Sequence, residues 1–123
     1  LRPGLEGISD NIRVCSVIGR FLEHSRLFWF ANGGDDEIYI GSADWMARNL
    51  DRRVEAVVPI DAPDLQGRLL RLINTYLSDN STAWDMQPDG SFSRRIPEDD
   101  SIAVQATLID GWRHGLNNGD EAP

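Results

Sequence analysis

Apolar residues recur in short blocks along the chain, and their spacing predicts the strands of a small sheet. Two blocks rich in aromatic and branched residues, 27–30 and 37–40, flank the turn formers Asn32-Gly33-Gly34, which predicts a β-hairpin. A third block, 53–60, carries alternating branched residues and ends at Pro59, so it predicts a third strand. The aromatic residues of the hairpin are expected in the core: Phe28, Trp29, Phe30 and Tyr39.

Helical spacing of apolar residues predicts two helices, over about 63–78 and about 101–113. Asp61 is suited to cap the first helix, and Pro63 fits its first turn. The residues expected to pack the first helix on the sheet are Leu65, Leu69, Leu72, Ile73, Tyr76 and Leu77. The apolar face expected for the second is Ile102, Ala106, Ile109 and Trp112.

Two segments give weaker signals. The apolar positions of residues 12–22 fit either a short strand or a turn or two of helix. Residues 78–98 are polar and carry Asp89-Gly90 and two prolines, so a loop is expected there. The elements together predict an α/β fold, one mixed sheet flanked by helices. We expect a single domain over residues 1–123, with a frayed tail at 115–123.

Composition narrows the function classes. The chain has 123 residues and a net charge of −8, which argues against a broad basic surface for nucleic acid. All 12 basic residues are arginines, so any polyanion is expected to be bound locally by guanidinium groups. A single cysteine, Cys15, excludes an internal disulfide and favours a reducing compartment. The first residue, Leu1, suggests a piece of a larger protein.

His24 and Arg26 are the first candidates for chemistry. They are two residues apart, so on a strand both side chains leave the same face of the sheet. A guanidinium fork holds phosphate oxygens, and an imidazole can attack phosphorus or exchange a proton. The hairpin is expected to return Ser42, in the Gly41-Ser42 turn, to the same place. We therefore predict that these three side chains converge on one phosphate-sized ion.

Further candidates lie in residues 42–55. Phosphoryl transfer needs positive charge around the phosphate oxygens, and Arg48 and Arg52 supply it in this segment. If the chain is extended, Arg52 and Arg53 point to opposite faces, so at most one faces the site. The supporting residues are Asp44, Asn49 and Glu55, with Glu55 expected to accept the second N–H of His24. The alternative is an ordinary surface network of arginines with Asp44, Asp51 and Glu55.

The sequence shows no pattern typical of a zinc, calcium or nucleotide site. His24 and His114 are ninety residues apart and Cys15 has no cysteine partner, so there is no zinc pattern and no metal ligand is assigned. The acidic run 35–37 lacks the ligand spacing of a calcium loop, and no glycine-rich nucleotide motif is present.

Three stretches occur in an order that resembles a known family: Arg-Phe-Leu-Glu-His-Ser-Arg at 20–26, Asn-Gly-Gly at 32–34, and Ser-Ala-Asp-Trp-Met-Ala-Arg-Asn-Leu-Asp-Arg-Arg-Val-Glu at 42–55. They resemble the C-terminal domain of bacterial polyphosphate kinases of the first type, which is similar to half of the phospholipase D fold. The resemblance is clear over residues 1–60 and weaker beyond them.

The resemblance implies a reversible transfer of the terminal phosphate of ATP to inorganic polyphosphate. His24 resembles the family's second essential histidine, while the phosphorylated histidine belongs to a preceding domain. Magnesium is implied in the full-length enzyme, with ligands outside this chain. The implied partners are ATP, ADP, polyphosphate, the preceding domains and further copies in a homo-oligomer, without nucleic acid. The implied location is the cytoplasm, with or without peripheral attachment to the inner membrane, and the isolated piece is expected to be inactive.

The sequence departs from the wider phospholipase D pattern, which is His-x-Lys followed by four residues and Asp. Arg26 replaces the lysine, Ala31 stands where the aspartate would be, and Asp44 stands where lipases carry asparagine. These departures weaken the interpretation as a lipid hydrolase. The alternatives are a phospholipase D-like phosphodiesterase half and a non-catalytic module that binds polyphosphate or promotes oligomerisation.

Overall fold

The computed structural model describes residues 2–114 and divides the chain into two compact units. One unit is Leu22–Asn74; the other combines Leu1–Phe21 with Thr75–Pro123, described over 2–21 and 75–114. The strands are β1 (Cys15–Val17), β2 (Arg26–Phe30), β3 (Glu37–Gly41), β4 (Val57–Pro59), β5 (Ala83–Met86) and β6 (Phe92–Arg94). The helices are α1 (Ala47–Arg52), α2 (Pro63–Ser78) and α3 (Val104–Arg113).

The α/β class is confirmed, but the single mixed sheet is wrong. The described residues form two three-stranded sheets, ordered β2-β3-β4 and β1-β5-β6, and every strand pair is antiparallel. β4 runs antiparallel to β3 because the chain turns back on itself. Ser42 N–H donates to the Ala56 carbonyl at 3.0 Å, and Ala56 N–H donates to the Ser42 hydroxyl at 3.1 Å, closing the base of the connection.

In the 22–74 unit, the predicted hairpin is confirmed and each strand is one residue longer than expected. A short 3₁₀ turn, Asn32–Gly34, joins the strands. The predicted strand 53–60 is reduced to β4, and α1 was not predicted at all. The core of this unit includes Ile38 and Ala43, which are 1% and 2% exposed.

The aromatic residues of the hairpin are less buried than predicted. Trp29 and Phe30 are 45% and 46% exposed, whereas Phe28 and Tyr39 are half-buried. β2 is the edge strand of a three-stranded sheet, so its side chains have neighbours on one side only. The expectation that all four rings lie in the core is therefore wrong.

The prediction for α2 is confirmed, with the helix running from Pro63 to Ser78. Leu65 and Leu77 near its ends are exposed. The rest of its predicted apolar stripe is half-buried: Leu69, Leu72, Ile73 and Tyr76.

The other unit contains the largest errors of the sequence reading. The loop predicted over 78–98 contains the hairpin of β5 and β6, closed by Asp89-Gly90 with Gly90 at φ +89°. β1 settles the ambiguous segment 12–22 as partly strand. α3 begins at Val104 rather than at residue 101 because the carboxylate of Asp79 accepts the Val104 N–H at 2.8 Å.

The core of this second unit includes Ala83 and Val104, both 0% exposed. Within residues 2–114, no helix is both long and apolar enough to cross a membrane. The predicted frayed tail, 115–123, lies outside the described residues, and the single-domain assignment stays a prediction.

Candidate functional site

An ion pair between Arg26 and Asp44 lies at the start of β2. The Nε and Nη2 atoms of Arg26 are each 2.9 Å from Oδ1 of Asp44. Next to Asp44, the Trp45 ring stacks on Phe28, with ring centroids 5.5 Å apart. Arg26 and Phe28 share one face of β2 because they are two residues apart. Residues 44 and 45 are therefore fixed to that face by two separate contacts.

His24 lies just before β2. The third guanidinium nitrogen of Arg26, Nη1, donates to the His24 carbonyl at 2.6 Å. The His24 side chain is exposed, and the imidazole makes no hydrogen bond or ion pair among the described residues. Arg26 thus contacts the main chain of His24 and leaves its imidazole accessible.

Ser42 follows directly after Gly41, the partner of Arg26 in the strand register. Its hydroxyl donates to Oε2 of Glu55 and accepts the Ala56 N–H. A Cβ on Gly41 would lie 3.1 Å from the Ala56 carbonyl oxygen, so glycine permits this close approach of the two segments. In this structure the single hydroxyl hydrogen of Ser42 is therefore used for Glu55.

Glu55 does not hold His24 in the predicted way. Its Oε2 accepts from Ser42, and its Oε1 lies 3.7 Å from Nε of Arg53. Among residues 2–114 no hydrogen bond joins Glu55 to the imidazole of His24. The Glu55 carboxylate instead accepts a hydrogen bond from the Ser42 hydroxyl at the base of the β3–β4 connection. The two residues meet there because the backbones of the segments that carry them lie close together.

Helix α1 arranges the remaining cations. Arg48 and Arg52 are four residues apart, so they lie on the same face of the helix, and both are exposed. The condition that both Arg52 and Arg53 lie on an extended segment is not met, because Arg52 ends α1 and Arg53 alone follows in extended conformation. Two exposed guanidinium groups on one helix face can bind the oxygens of an anion.

Neighbouring side chains stabilise the negative charge of Asp44. The hydrogen bond and the charge of the Arg26 guanidinium hold the pKa of Asp44 below its ordinary value, against a smaller opposing effect of burial. The amide of Asn49 and the charge of Arg48 lower the pKa of Asp44 further. Asp44 is therefore paired with Arg26 on β2 and also interacts electrostatically with Arg48 and Asn49 on α1.

Asn49 is the buried member of the residues around Asp44. Its side chain is 2% exposed, and its Oδ1 atom is buried without a hydrogen-bond partner among the described residues. A buried amide oxygen without a donor costs about 1–3 kcal/mol. The position of Asn49 beside Asp44 fits the predicted supporting role rather than direct contact with a ligand in solvent.

A depression at the hairpin turn lies at the opposite end of β2. It is lined by Trp29, Phe30, Ala31, Asn32, Glu37 and Tyr39. Glu37 accepts hydrogen bonds from Asn32 at 2.9 Å and from the Tyr39 hydroxyl at 2.7 Å, and the bond to Glu37 raises the pKa of Tyr39. A carboxylate in its wall makes this depression unsuitable for a phosphate.

Comparison with known proteins decides the family. The model of the polyphosphate kinase C-terminal domain 2 matches residues 1–106, most of the chain. The chain belongs to the polyphosphate kinase family. The resemblance inferred from the three sequence stretches is thereby confirmed.

Individual polyphosphate kinases agree with this assignment. The chain is 62% identical over 118 residues to the polyphosphate kinase of Parasynechococcus marenigrum, covering 94% of this chain and 17% of that protein. It is 51% identical over 112 residues to the enzyme of Pseudomonas putida, covering 89% of this chain and 15% of that protein. The chain therefore spans about a sixth of the length of these relatives.

A solved structure supports the fold. The crystal structure of polyphosphate kinase from Porphyromonas gingivalis is similar, with a TM-score of 0.80 and 32% sequence identity. The similarity covers 89% of this chain and 17% of that one.

The predicted site residues fall into two groups in this polyphosphate kinase domain. Direct contacts or electrostatic effects join Arg26, Asp44, Arg48 and Asn49, and separate hydrogen bonds join Ser42 and Glu55. The convergence of His24, Arg26 and Ser42 on one ion stays a prediction. Sequence reasoning missed Trp45, whose ring fixes the segment next to Asp44; its position after the Gly-Ser-Ala-Asp stretch was the available signal.

Proposed function

We propose that this chain is the C-terminal part of a polyphosphate kinase that reversibly transfers the terminal phosphate of ATP to inorganic polyphosphate. In this proposal residues 22–74 supply the phosphate-handling side chains. The observation that carries it is the exposed imidazole of His24, on a residue whose main-chain carbonyl accepts a hydrogen bond from Arg26. Arg26 pairs with Asp44, which lies shortly before the helix that presents Arg48 and Arg52. Family membership supports the reaction type.

The side chains divide the work by their chemistry. His24 is the catalytic residue and exchanges a proton with the transferring phosphate, a role that imidazole groups commonly have in enzymes. Arg48 and Arg52 bind phosphate oxygens of the polyphosphate chain, together with the N–H donors that Arg26 has left. Ser42 joins them when its hydroxyl hydrogen turns from Glu55 to the phosphate. Asp44, Asn49 and Glu55 hold these donors in place.

The proposal places the magnesium ligands outside residues 2–114. Within these residues no group of three or more His, Cys, Asp or Glu side chains is arranged to hold a metal ion. When bound in the full-length enzyme, magnesium would neutralise charge on the phosphates. The residues of this chain supply guanidinium groups and an imidazole for the same substrate.

The remaining parts of the site belong to other regions in this proposal. ATP, ADP and polyphosphate are the ligands, preceding domains of the same polypeptide complete the site, and the full-length protein assembles as a homo-oligomer in the cytoplasm. The isolated chain is then half a site and has no kinase activity of its own.

The test uses a full-length polyphosphate kinase that contains these 123 residues. His24→Ala is expected to reduce polyphosphate synthesis from ATP by about 10²–10⁴-fold, the usual contribution of a proton-transferring side chain. His114→Ala is the matched control, because His114 is exposed directly after α3 and outside the 22–74 unit. Unchanged turnover in His24→Ala would favour a non-catalytic polyphosphate-binding module, and cleavage of phosphodiesters by the parent enzyme would favour the phospholipase D-like alternative.

A further inference from the structure

We propose that Arg26 is a positioning residue: with Asp44 it clamps the main chain of His24, and it acts on the reaction chiefly through that histidine. The inference rests on the proposed function, since it assigns a task within the same reaction. It differs from the expectation that Arg26 serves mainly as a phosphate fork.

The guanidinium group of Arg26 is largely occupied by the protein. Nε and Nη2 each contact Oδ1 of Asp44 at 2.9 Å, and Nη1 contacts the His24 carbonyl at 2.6 Å. An arginine has five N–H donors, so one donor remains on each terminal nitrogen. The fork formed by Nε and Nη2 thus already holds a carboxylate, and Nη1 holds a carbonyl, which leaves two single donors for phosphate oxygens.

The contact with the carbonyl matters because little else holds His24. The residue precedes β2 and is exposed, so the sheet ladder does not include it. The bond from Arg26 is the one hydrogen bond that the structure gives His24 within residues 2–114. Losing this bond would release the main chain that carries the imidazole.

The Asp44 end of the clamp is anchored independently of Arg26. Met46 N–H donates to the Asp44 carbonyl at 2.7 Å, and the Trp45 ring stacks on Phe28 of β2. The amide of Asn49, which is buried, interacts with the same carboxylate. A carboxylate fixed in this way can hold a guanidinium group in one orientation.

The clamp and the phosphate fork predict opposite effects of removing Asp44. If Arg26 mainly bound phosphate, Asp44→Ala would free two nitrogens for the substrate and lower the KM for polyphosphate. If Arg26 mainly positions His24, the same change lowers kcat and leaves that KM nearly unchanged. Arg26→Lys separates the roles again, because lysine keeps the charge but cannot span both partners.

The experiment measures kcat and KM for polyphosphate in the full-length enzyme containing this chain, for Asp44→Ala, Arg26→Lys and the double variant. We expect each single change to lower kcat about tenfold or more, the double variant to be no worse than the more damaging single one, and KM to change less than about twofold. Asp110→Ala is the control, because Asp110 forms an exposed ion pair with Arg113 on α3. A lower KM with unchanged kcat in Asp44→Ala would overturn the clamp.

A second measurement does not depend on turnover. NMR relaxation of the 123-residue chain should show a lower order parameter for the His24 amide in Asp44→Ala and Arg26→Lys, falling below about 0.6, with α2 unchanged. An unchanged His24 amide in both variants would overturn the clamp. Different results contradict the two proposals. An active His24→Ala enzyme contradicts the proposed function. If His24→Ala is inactive but Asp44→Ala and Arg26→Lys keep wild-type activity, the clamp alone is contradicted.

Discussion

Asp44 in the 22–74 unit and Asp79 in the other unit show two uses of one side chain. Asp44 is partly exposed and holds the guanidinium group of Arg26. Asp79 is 0% exposed, and its carboxylate binds mainly backbone N–H groups. Its carboxylate accepts five hydrogen bonds, from the N–H groups of Ser81, Thr82, Ala83 and Val104 and from the Thr82 hydroxyl.

The arginines repeat this contrast. Arg95 makes two bonds to Asp85, at 2.8 and 2.7 Å, and donates to the carbonyls of Leu77 and Asp79. It therefore links the end of α2 with the β5–β6 hairpin. Arg48 and Arg52, by contrast, are exposed on one face of α1. Asp79 and Arg95 are thus occupied by contacts within their unit, whereas Arg48 and Arg52 are exposed on α1.

The largest effect is expected for Asp79→Ala. Removing the carboxylate leaves several backbone N–H groups in the interior without an acceptor, so the free energy of unfolding should fall by about 3 kcal/mol. Urea denaturation of the isolated chain measures it. Asp110→Ala, an exposed position on α3, is the control and should change little. A comparable loss in the control, or none in Asp79→Ala, would remove the contrast between the units.

The contact between Asp79 and α3 also shows which parts of the fold could not be predicted from the sequence. α2 was predictable because its apolar residues repeat at helical spacing and Pro63 marks its start. The start of α3 was not, because its acceptor is 25 positions away in sequence. The β5–β6 hairpin was missed because its strands are only four and three residues long and lie in a polar stretch of the chain, although Asp89-Gly90 between them is a known hairpin signal.

A smaller effect is expected when Arg48 or Arg52 is changed to glutamine. Each loses one exposed guanidinium–phosphate contact, so the KM for polyphosphate should rise about fivefold per change, and its dependence on salt should weaken. Thermal unfolding should stay the same because both side chains are exposed. Arg113→Gln on α3 is the matched control. An unchanged KM in both variants would take α1 out of the phosphate site.

The smallest effect is expected from acid. Burial raises the pKa of Asp79, but the hydrogen bonds from Thr82, Val104 and Ser81 outweigh it and hold that pKa below the ordinary value. The pKa of Asp44 is also lowered, chiefly by Arg26. A lowered pKa in the folded state stabilises the fold above the unfolded pKa of about 3.9, and this contribution is lost as the pH falls through the folded pKa.

Urea denaturation at pH 7, 5, 4 and 3 measures this acid effect. Stability should begin to fall below about pH 4, and the fall should be reduced more in Asp79→Asn than in Asp44→Asn, since Asp44 is the more exposed group. If the two variants reduced the acid-induced loss of stability equally, the contrast between Asp44 and Asp79 would be contradicted.

The placement of two candidate residues on the sheet was predictable, whereas their roles in a site stay predictions. Spacing placed Arg26 and Ser42 at neighbouring strand ends, and the register of Arg26 with Gly41 agrees with that. The alternative of arginine ion pairs with Asp44 and Glu55 agrees with the pairs Arg26–Asp44 and Arg53–Glu55. The bond from Ser42 to Glu55 was not predictable, because the connection between them contains helix α1, which is too short to show apolar periodicity.

The central claim is that the phosphate-handling side chains lie in residues 22–74. NMR titration of the 123-residue chain with short-chain polyphosphate tests it most directly. We expect weak, salt-sensitive shifts at His24, Ser42, Arg48 and Arg52, with the signals of Asp79, Asp85 and Arg95 unchanged. Shifts concentrated in residues 75–114, or shifts that persist at high salt throughout the chain, would contradict the claim.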